Sequence, residues 1–268
     1  MGERMAVNSD IRRALAPVLR AGLAPALLFC VSANAGAAER IVDMARPAHV
    51  GKDIDPYPRI AQPADEAEKK INAAVAKLDE RVKKAIAECR REAGKNSDWS
   101  RTIAVTMRGP RYLSYTIADS FNCGGAHPNI GTTAIVYDLA TGAPVDWAKL
   151  LPTKLLGKVS LNATSDGVKM ISLNSKRLYQ LYMARYRAGE RKTDKECLEA
   201  MGQVGGDDMS PSLTPYLDAR EGGLGLMVDT PHVIQACADQ MVIPLATLRK
   251  EGVSEAMLKA IEAAKAAK

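Results

Sequence analysis

A long amphipathic helix is the sequence feature that most constrains the fold of this chain. From residue 64 to about residue 92, apolar side chains recur in steps of three and four, at Ile71, Val75, Leu78, Val82, Ala85 with Ile86, and Cys89. This spacing predicts one continuous apolar stripe on a helix whose other faces are charged. Asp65 is the predicted N-cap, directly after Pro63. Because so long a stripe must be covered, we expect the helix to lie across a sheet.

Strand patterns dominate the rest of the chain. Two alternating stretches, residues 101–108 and 111–121, flank Gly109-Pro110 and predict a hairpin, and a third strand covers 132–139. Residues 152–210 are predicted to be mostly helical, with Leu173, Leu178, Leu181, Tyr182 and Tyr186 on one face. Strands return at 212–218, 223–228 and 240–245, and a helix begins at Ser254. Grouped strands and helices predict an α+β fold, an antiparallel sheet with the long helix packed on one face.

The first 35 residues have the organisation of a signal peptide. Basic residues precede an uncharged run of residues 21–33, and Ala33-Asn34-Ala35 fits an A-x-A cleavage site. The run is shorter than the roughly 20 residues that span a membrane, so we expect a mature chain without a transmembrane segment, periplasmic or secreted. The predicted organisation is a signal peptide (1–35), an irregular segment (36–62) and a single domain (63–268).

Charge excludes one class of partner. The chain has 37 basic and 31 acidic residues; cleavage after Ala35 would leave 33 and 29, a net charge of +4. These charges are spread along the chain instead of forming a basic patch, so we expect no nucleic-acid partner. The small positive charge weakly favours an anionic partner, such as a membrane surface or a cell-wall polymer.

Four cysteines remain after cleavage: Cys89, Cys123, Cys197 and Cys237. An even number in an exported chain predicts two disulfides, with three possible pairings. The pairing of Cys89 with Cys123 and Cys197 with Cys237 is favoured, because each bond would join a predicted helix to a nearby strand or loop in the same half of the chain.

The most specific local sequence is the turn at residues 121–128, Phe-Asn-Cys-Gly-Gly-Ala-His-Pro. Gly124 and Gly125 permit backbone angles that other residues avoid, and Pro128 fixes the exit, so the turn could hold His127 in one direction. His127 could serve as a base or a ligand-binding residue. Alternatively, the segment is a turn fixed by Cys123 with its imidazole bonded to a backbone carbonyl, and this interpretation is favoured because no catalytic partner has an identifiable spacing.

Two metal sites can be drawn from the sequence, and neither is favoured. Cys123 with His127, and His232 with Cys237, form a two-Cys, two-His set suited to zinc. In an oxidising compartment, however, disulfides are the commoner state of such cysteines. Asp207-Asp208 could bind Ca²⁺, although an acidic pair in a loop is usually solvated. We therefore expect no metal and no cofactor.

The chain resembles a known family at several places, of which Tyr57-Pro-Arg-Ile60 and Ile71-Asn72 are the first along the chain. The Gly-Gly-Ala-His-Pro turn, the Tyr137-Asp-Leu-Ala-Thr-Gly142 segment and the stretch from Leu224 to Pro244 are similar to a bacterial extracellular domain. That RsiV-like domain forms the outer part of lysozyme-sensing anti-sigma factors and accompanies, without catalysing, PdaC-type peptidoglycan deacetylases. The resemblance covers roughly residues 55–250. It implies an exported, cell-envelope binding or interaction module, with lysozyme or peptidoglycan as partner.

The chain departs from that family at the two places that matter most for a site. Asn122-Cys123 replaces an aromatic and a small residue before the glycines, and His232 stands where the family usually has Tyr. No deacetylase motif accompanies the domain, so that activity cannot be transferred.

The binding surface expected from the residues and the resemblance comprises Gly124, Gly125, His127, Pro128 and His232. The rival hypothesis is a wall-directed hydrolase with His127 as base and Asp138 or Asp229 as its acidic partner. A structural envelope protein without a dedicated site is the third hypothesis.

Overall fold

The computed structural model describes residues 40–125, 127–164, 166–189, 194–204 and 211–267. All of them fall in one compact unit, which spans residues 36–268. The predicted signal peptide and the Asp207-Asp208 loop lie outside the described residues, so the predictions made for them remain predictions. Within the described part, no helix is both long enough and apolar enough to cross a membrane.

The long helix, α1, extends from Glu66 to Ala93, as predicted. Asp65 caps it by accepting a hydrogen bond from the Glu68 backbone N–H, and Gly94 ends it. Most of the predicted stripe is buried, with Leu78 and Ala85 half-buried, and the buried side chains also include two acids, Glu68 and Asp79. Each of these carboxylates is paired with an arginine from the segment before the helix, Arg40 at 2.6 Å and Arg59 at 2.5 Å respectively. The buried face therefore combines apolar packing with two ion pairs.

The helix packs on the first of two large antiparallel sheets. After a short pair, β1 (Met44–Ala45) and β2 (Arg59–Ile60), the chain forms β3 (Asp98–Arg108), β4 (Tyr112–Asn122), β5 (Asn129–Asp138) and β6 (Ala143–Pro144), in the order β3-β4-β5-β6. The core between helix and sheet includes Ile71 and Val75 of α1, with Leu113, Tyr115 and Ile117 of β4. The predicted α+β fold, with the long helix on one face of an antiparallel sheet, is confirmed.

A second sheet of five strands corrects the sequence prediction. Its strands are β7 (Lys158–Ala163), β8 (Lys169–Asn174), β9 (Ser212–Asp218), β10 (Gly223–Val228) and β11 (Met241–Pro244), in the order β11-β10-β9-β8-β7. The β7–β8 hairpin lies where the sequence predicted helix. Leu173, predicted to share a helix face with Leu178, instead lies in β8 opposite Leu213 and is fully buried.

The remaining helices cover the second sheet. They are α2 (Trp147–Leu150), α3 (Thr153–Leu156), α4 (Lys176–Ala188), α5 (Lys195–Gln203), α6 (Leu245–Glu251) and α7 (Glu255–Ala266), with short 3-10 helices at Gly94–Asn96 and His232–Cys237. Helix α4 buries the predicted Leu178, Leu181, Tyr182 and Tyr186. Asp194 caps α5 by accepting from the Cys197 N–H at 3.0 Å.

The segment before α1 is less irregular than the sequence suggests. Val42, Ile54, Tyr57 and Ile60 are buried in the core beneath α1 or beside it. Residues 53–55 also exchange backbone hydrogen bonds with Arg101 at the edge of β3. Three prolines interrupt the alternation expected of strands in residues 36–62, but the apolar residues of this segment contribute to the same core as the helix.

Polar contacts tie the two sheets together at two points. At one, the Thr106 hydroxyl donates to the Leu217 carbonyl at 2.7 Å, and the Ser114 hydroxyl accepts from the Leu217 N–H at 3.1 Å. At the other, Arg101 of β3 reaches Asp166 in the β7–β8 turn at 3.0 Å. A cleft lies between the sheets, with Asp119 of β4 among its walls.

Candidate functional site

Two turns that are distant in the sequence meet at the surface. The imidazole rings of His127 and His232 stack with their centroids 4.1 Å apart and their planes 24° from parallel. Both residues are exposed. Nδ1 of His127 also lies 3.2 Å from the Pro128 carbonyl, to which it donates in the tautomer with its proton on Nδ1. The structure thus brings together His127, Pro128 and His232, three of the residues named from the sequence.

The first turn is fixed by a glycine and a disulfide. Gly124 has φ of 90°, a left-handed conformation that side chains disfavour, and its N–H donates to the Asn122 side chain at 3.1 Å. A Cβ at Gly124 would lie 3.2 Å from that of Ala93 at the end of α1. The disulfide between Cys89 and Cys123 joins the turn to α1. The turn that carries His127 is therefore anchored to the long helix.

The second turn has an anchor of its own. The disulfide between Cys197 and Cys237 joins the 3-10 helix that begins at His232 to α5. Within this helix, Nε2 of Gln235 donates to the Ile130 carbonyl of β5 at 2.7 Å. A bond to α5 on one side and a hydrogen bond to β5 on the other hold His232 beside the first turn.

The cysteine pairing is the one favoured from the sequence, and it bears directly on zinc. Because the sulfurs of Cys123 and Cys237 are bonded to other sulfurs, they have no thiolate to give a metal. Among the described residues, no group of three or more His, Cys, Asp or Glu side chains is arranged to hold a metal ion.

Behind the second turn, the cleft between the sheets has a volume of about 450 Å³. Strands β4, β5, β7, β8, β9 and β10 contribute to its walls together with the 3-10 helix. Many of its described lining residues carry hydroxyl groups (Thr132, Thr133, Thr164, Ser172, Ser212, Thr214 and Thr230), and Asn162 and Gln235 add amides. The hydroxyls of Thr164, Ser172 and Ser212 and both amides also form hydrogen bonds within the protein. Among the described lining residues, His232 is the one with an aromatic ring. A hydroxyl both donates and accepts, so this lining suits a ligand with many polar groups.

Among the described residues, two carboxylates line the cleft, and they differ in their surroundings. Asp119 is buried and holds Arg101 in a bidentate pair at 2.6 and 2.8 Å, so its charge is compensated. Asp229 follows β10 and is exposed as a residue, although protein atoms lie close enough to its carboxyl group to desolvate it in part. This desolvation raises the pKa of Asp229. Within the described residues, no cation is paired with the carboxylate of Asp229.

Of the candidate catalytic residues, His127 and Asp138 do not converge. Asp138 ends β5, whereas His127 precedes its start; the strand is 10 residues long, and at ~3.3 Å a residue its ends are roughly 30 Å apart. Asp138 is instead paired with Arg111 at 2.8 Å. Asp229 and His232 both line the cleft, while His127 lies outside the set of lining residues. The arrangement of His127 with Asp138 required by one form of the hydrolase hypothesis is therefore absent from the described structure.

The hydroxyl lining of the cleft was missed by sequence reasoning. Its Ser and Thr residues come from several strands and have no common spacing. Thr132 and Thr133 are adjacent in β5, but a Thr pair is common in strands and predicts nothing about a cleft.

These features define a class of protein: a disulfide-bonded α+β domain with two antiparallel sheets and a polar cleft between them. The fold is similar to the crystal structure of a member of the duf3298 family from Bacteroides fragilis, with a TM-score of 0.51 over 84% of this chain and 99% of that one. The two sequences are 17% identical, so the likeness concerns the fold. The duf3298 family is the RsiV-like family that the sequence resembles. No family model and no curated protein sequence matches the chain.

Proposed function

We propose that this protein is an exported, non-catalytic binding module of the cell envelope, and that peptidoglycan is its ligand. The observation that carries the proposal is the cleft between the sheets, whose described lining includes seven residues with hydroxyl groups. Peptidoglycan presents sugar hydroxyls and amide groups close together. Paired donors and acceptors of the kind supplied by Ser, Thr, Asn and Gln can satisfy both.

Export is supported by two independent features. The predicted signal peptide directs the chain out of the cytoplasm, and two disulfides are typical of proteins that fold in an oxidising compartment. The similarity in fold to a member of a family that the sequence also resembles supports an envelope location.

A protein partner such as lysozyme is the second candidate, favoured by one observation. Ile130 in β5 and Val233 in the neighbouring 3-10 helix are 53% and 89% exposed. Exposed aliphatic side chains near an ordered turn can form the centre of a protein interface, although a stable one usually buries about 800 Å² on each partner. Two side chains provide only a part of such an area, which is why the polar cleft takes precedence.

The first prediction concerns binding to isolated cell walls. The mature protein should pellet with purified sacculi, and the Thr214→Trp variant, whose indole would occupy the cleft, should lose binding by at least about tenfold. The matched control is Val159→Trp, at an exposed residue of β7 that is not among the lining residues. Equal pelleting of the two tryptophan variants would remove the cleft from the proposal, and failure of the wild type to pellet would remove peptidoglycan.

The second prediction separates binding from catalysis at His127. Because the ring is exposed and stacks on a single neighbour, His127→Ala should lower the free energy of unfolding by only about 0.5–1.5 kcal/mol. With dye-labelled sacculi, the wild type should release no more dye than buffer alone does. H127A should give the same result as the wild type. Dye release by the wild type that disappears in a normally folded H127A would establish the hydrolase hypothesis instead.

A further inference from the structure

Among the described residues, no strand pairs with most of the β5 edge that faces the cleft. On one side it pairs with β4 along its whole length, but on the other β6 pairs only with Tyr137 and Asp138. Residues 130–133 all line the cleft. Side chains of a strand alternate between its two faces, so four consecutive lining residues mean that the backbone itself borders the cleft.

Two hydrogen bonds establish which backbone groups point outward. The Ile130 carbonyl accepts from Gln235, and the Val136 carbonyl accepts from the Val145 N–H, both on the side away from β4. Outward groups recur at every second residue of an antiparallel strand, and the β4–β5 register is continuous. Thr132 lies two residues after Ile130. Its backbone N–H and C=O therefore also point away from β4.

Thr132 is an accessible member of this series, and its carbonyl, unlike that of Ile130, does not accept from Gln235. It is exposed, whereas Ala134 is buried. In the part of the chain that the structure describes, its outward N–H and C=O have no hydrogen-bond partner in the protein. At Ile130, the side-chain amide of Gln235 makes the hydrogen bond that a backbone N–H of an adjacent strand would otherwise make. The edge therefore offers a donor and an acceptor to a ligand with peptide groups.

Asp229 favours a ligand that carries a positive charge. Its carboxylate lines the same cleft without a cation among the described residues, while Asp119, the other lining acid, is neutralised by Arg101. Desolvation, which raises the pKa of Asp229, also makes an approaching cation more favourable than it would be in open water. A primary ammonium is the complementary group.

We propose that the cleft recognises the peptide part of peptidoglycan, with peptide amides bonded to the Thr132 edge of β5 and a free primary ammonium of the stem peptide beside Asp229. This inference rests on the proposed function, because it places the ligand in the same cleft. It goes further in assigning recognition to the peptide and its amine, with the hydroxyl-lined walls receiving the remaining polar groups.

The role of the stem-peptide ammonium can be tested with chemically altered sacculi. Wild-type protein should bind sacculi N-acetylated with acetic anhydride about tenfold more weakly than untreated sacculi, because acetylation removes the charge. Asp229→Asn should bind both preparations equally, at the weaker level. Glycan strands stripped of their peptides by an amidase should bind no better than the acetylated material. Undiminished binding to acetylated or stripped material would overturn the inference.

A pair of substitutions tests the backbone edge. Thr132→Pro removes the outward N–H, which an edge strand tolerates because that group is not paired in the sheet. Thr132→Ala removes the side chain and keeps the N–H. T132P should bind sacculi about fivefold or more weakly than T132A, because only T132P lacks the outward N–H, and both melting curves should be close to that of the wild type. Equal binding by the two would overturn the role of the edge.

If the wild type does not bind untreated sacculi, the proposed function fails, and the inference fails with it. If untreated, acetylated and stripped material all bind alike, the proposed function stands and only the inference is lost. Binding to lysozyme but not to sacculi would replace the peptidoglycan ligand by a protein.

Discussion

Replacing Asp119 by Asn is expected to lower the free energy of unfolding by about 3–5 kcal/mol, because it leaves a buried guanidinium without its main counter-charge. Arg101 and Asp119 are 3% and 2% exposed as residues. Asp119 accepts from Nε and Nη2 of Arg101 at 2.6 and 2.8 Å, and from Nε1 of Trp99 at 3.1 Å. Asp166 also contacts Arg101 but lies in the β7–β8 turn, so it compensates only part of the lost charge.

Urea unfolding followed by circular dichroism would measure this effect. The matched control is Asp43→Asn, which breaks an ion pair of 3.3 Å between Arg108 and an almost fully exposed Asp43. Exposed pairs contribute about 0–1 kcal/mol, so D43N should be close to the wild type. A loss below about 1 kcal/mol in D119N would show that the charge of Asp119 is not needed to compensate Arg101.

This ion pair also illustrates what sequence patterns miss. Arg101 and Asp119 occupy strands predicted correctly from alternation, yet charged residues in a strand normally mark the solvent face. Their burial follows from parts of the chain that are distant in sequence, since Trp99, which packs with Ile86 of α1, donates to Asp119, and Asp166 of the β7–β8 turn contacts Arg101. Nothing in the spacing of either residue indicates these contacts. The helix α1 was predictable because its stripe is local; the partners of Glu68 and Asp79 were not, because they come from a separate segment.

The β7–β8 hairpin was missed for a related reason. Residues 158–163 alternate polar and apolar side chains, but Val159 and Leu161 are exposed, so they form no recognisable buried face. Strand β8 pairs with β9 through Leu173 and Asn174, about 40 residues before their partners, with α4 and α5 between them. Such a distant pairing cannot be inferred from local periodicity.

The candidate site was predictable in part. The composition of the turn at residues 122–128 singled out His127, and the departure at residue 232 singled out His232. The structure stacks these two side chains on each other. The cleft beside them depends on how two sheets pack, and this was beyond the reach of the sequence.

Removing the disulfide between Cys197 and Cys237 by substituting both cysteines with serine should destabilise the protein and also weaken its binding to sacculi. The bond links residues 40 apart, and loop-closure entropy predicts a loss of about 3–4 kcal/mol. The same bond holds the 3-10 helix that places His232 and Gln235 at the cleft. We therefore expect at least tenfold weaker sacculus binding, measured at a temperature where the variant remains folded.

The other disulfide supplies a control of nearly equal loop length. Cys89 and Cys123 are 34 residues apart, so C89S/C123S should lose a similar free energy of unfolding. Its turn carries His127, which does not line the cleft, and sacculus binding should stay within about threefold of the wild type. Equal losses of binding in the two variants would mean that general destabilisation, and not the position of the 3-10 helix, controls the cleft. A selective loss in C197S/C237S would assign the recognition surface to the Gln235 side of the site.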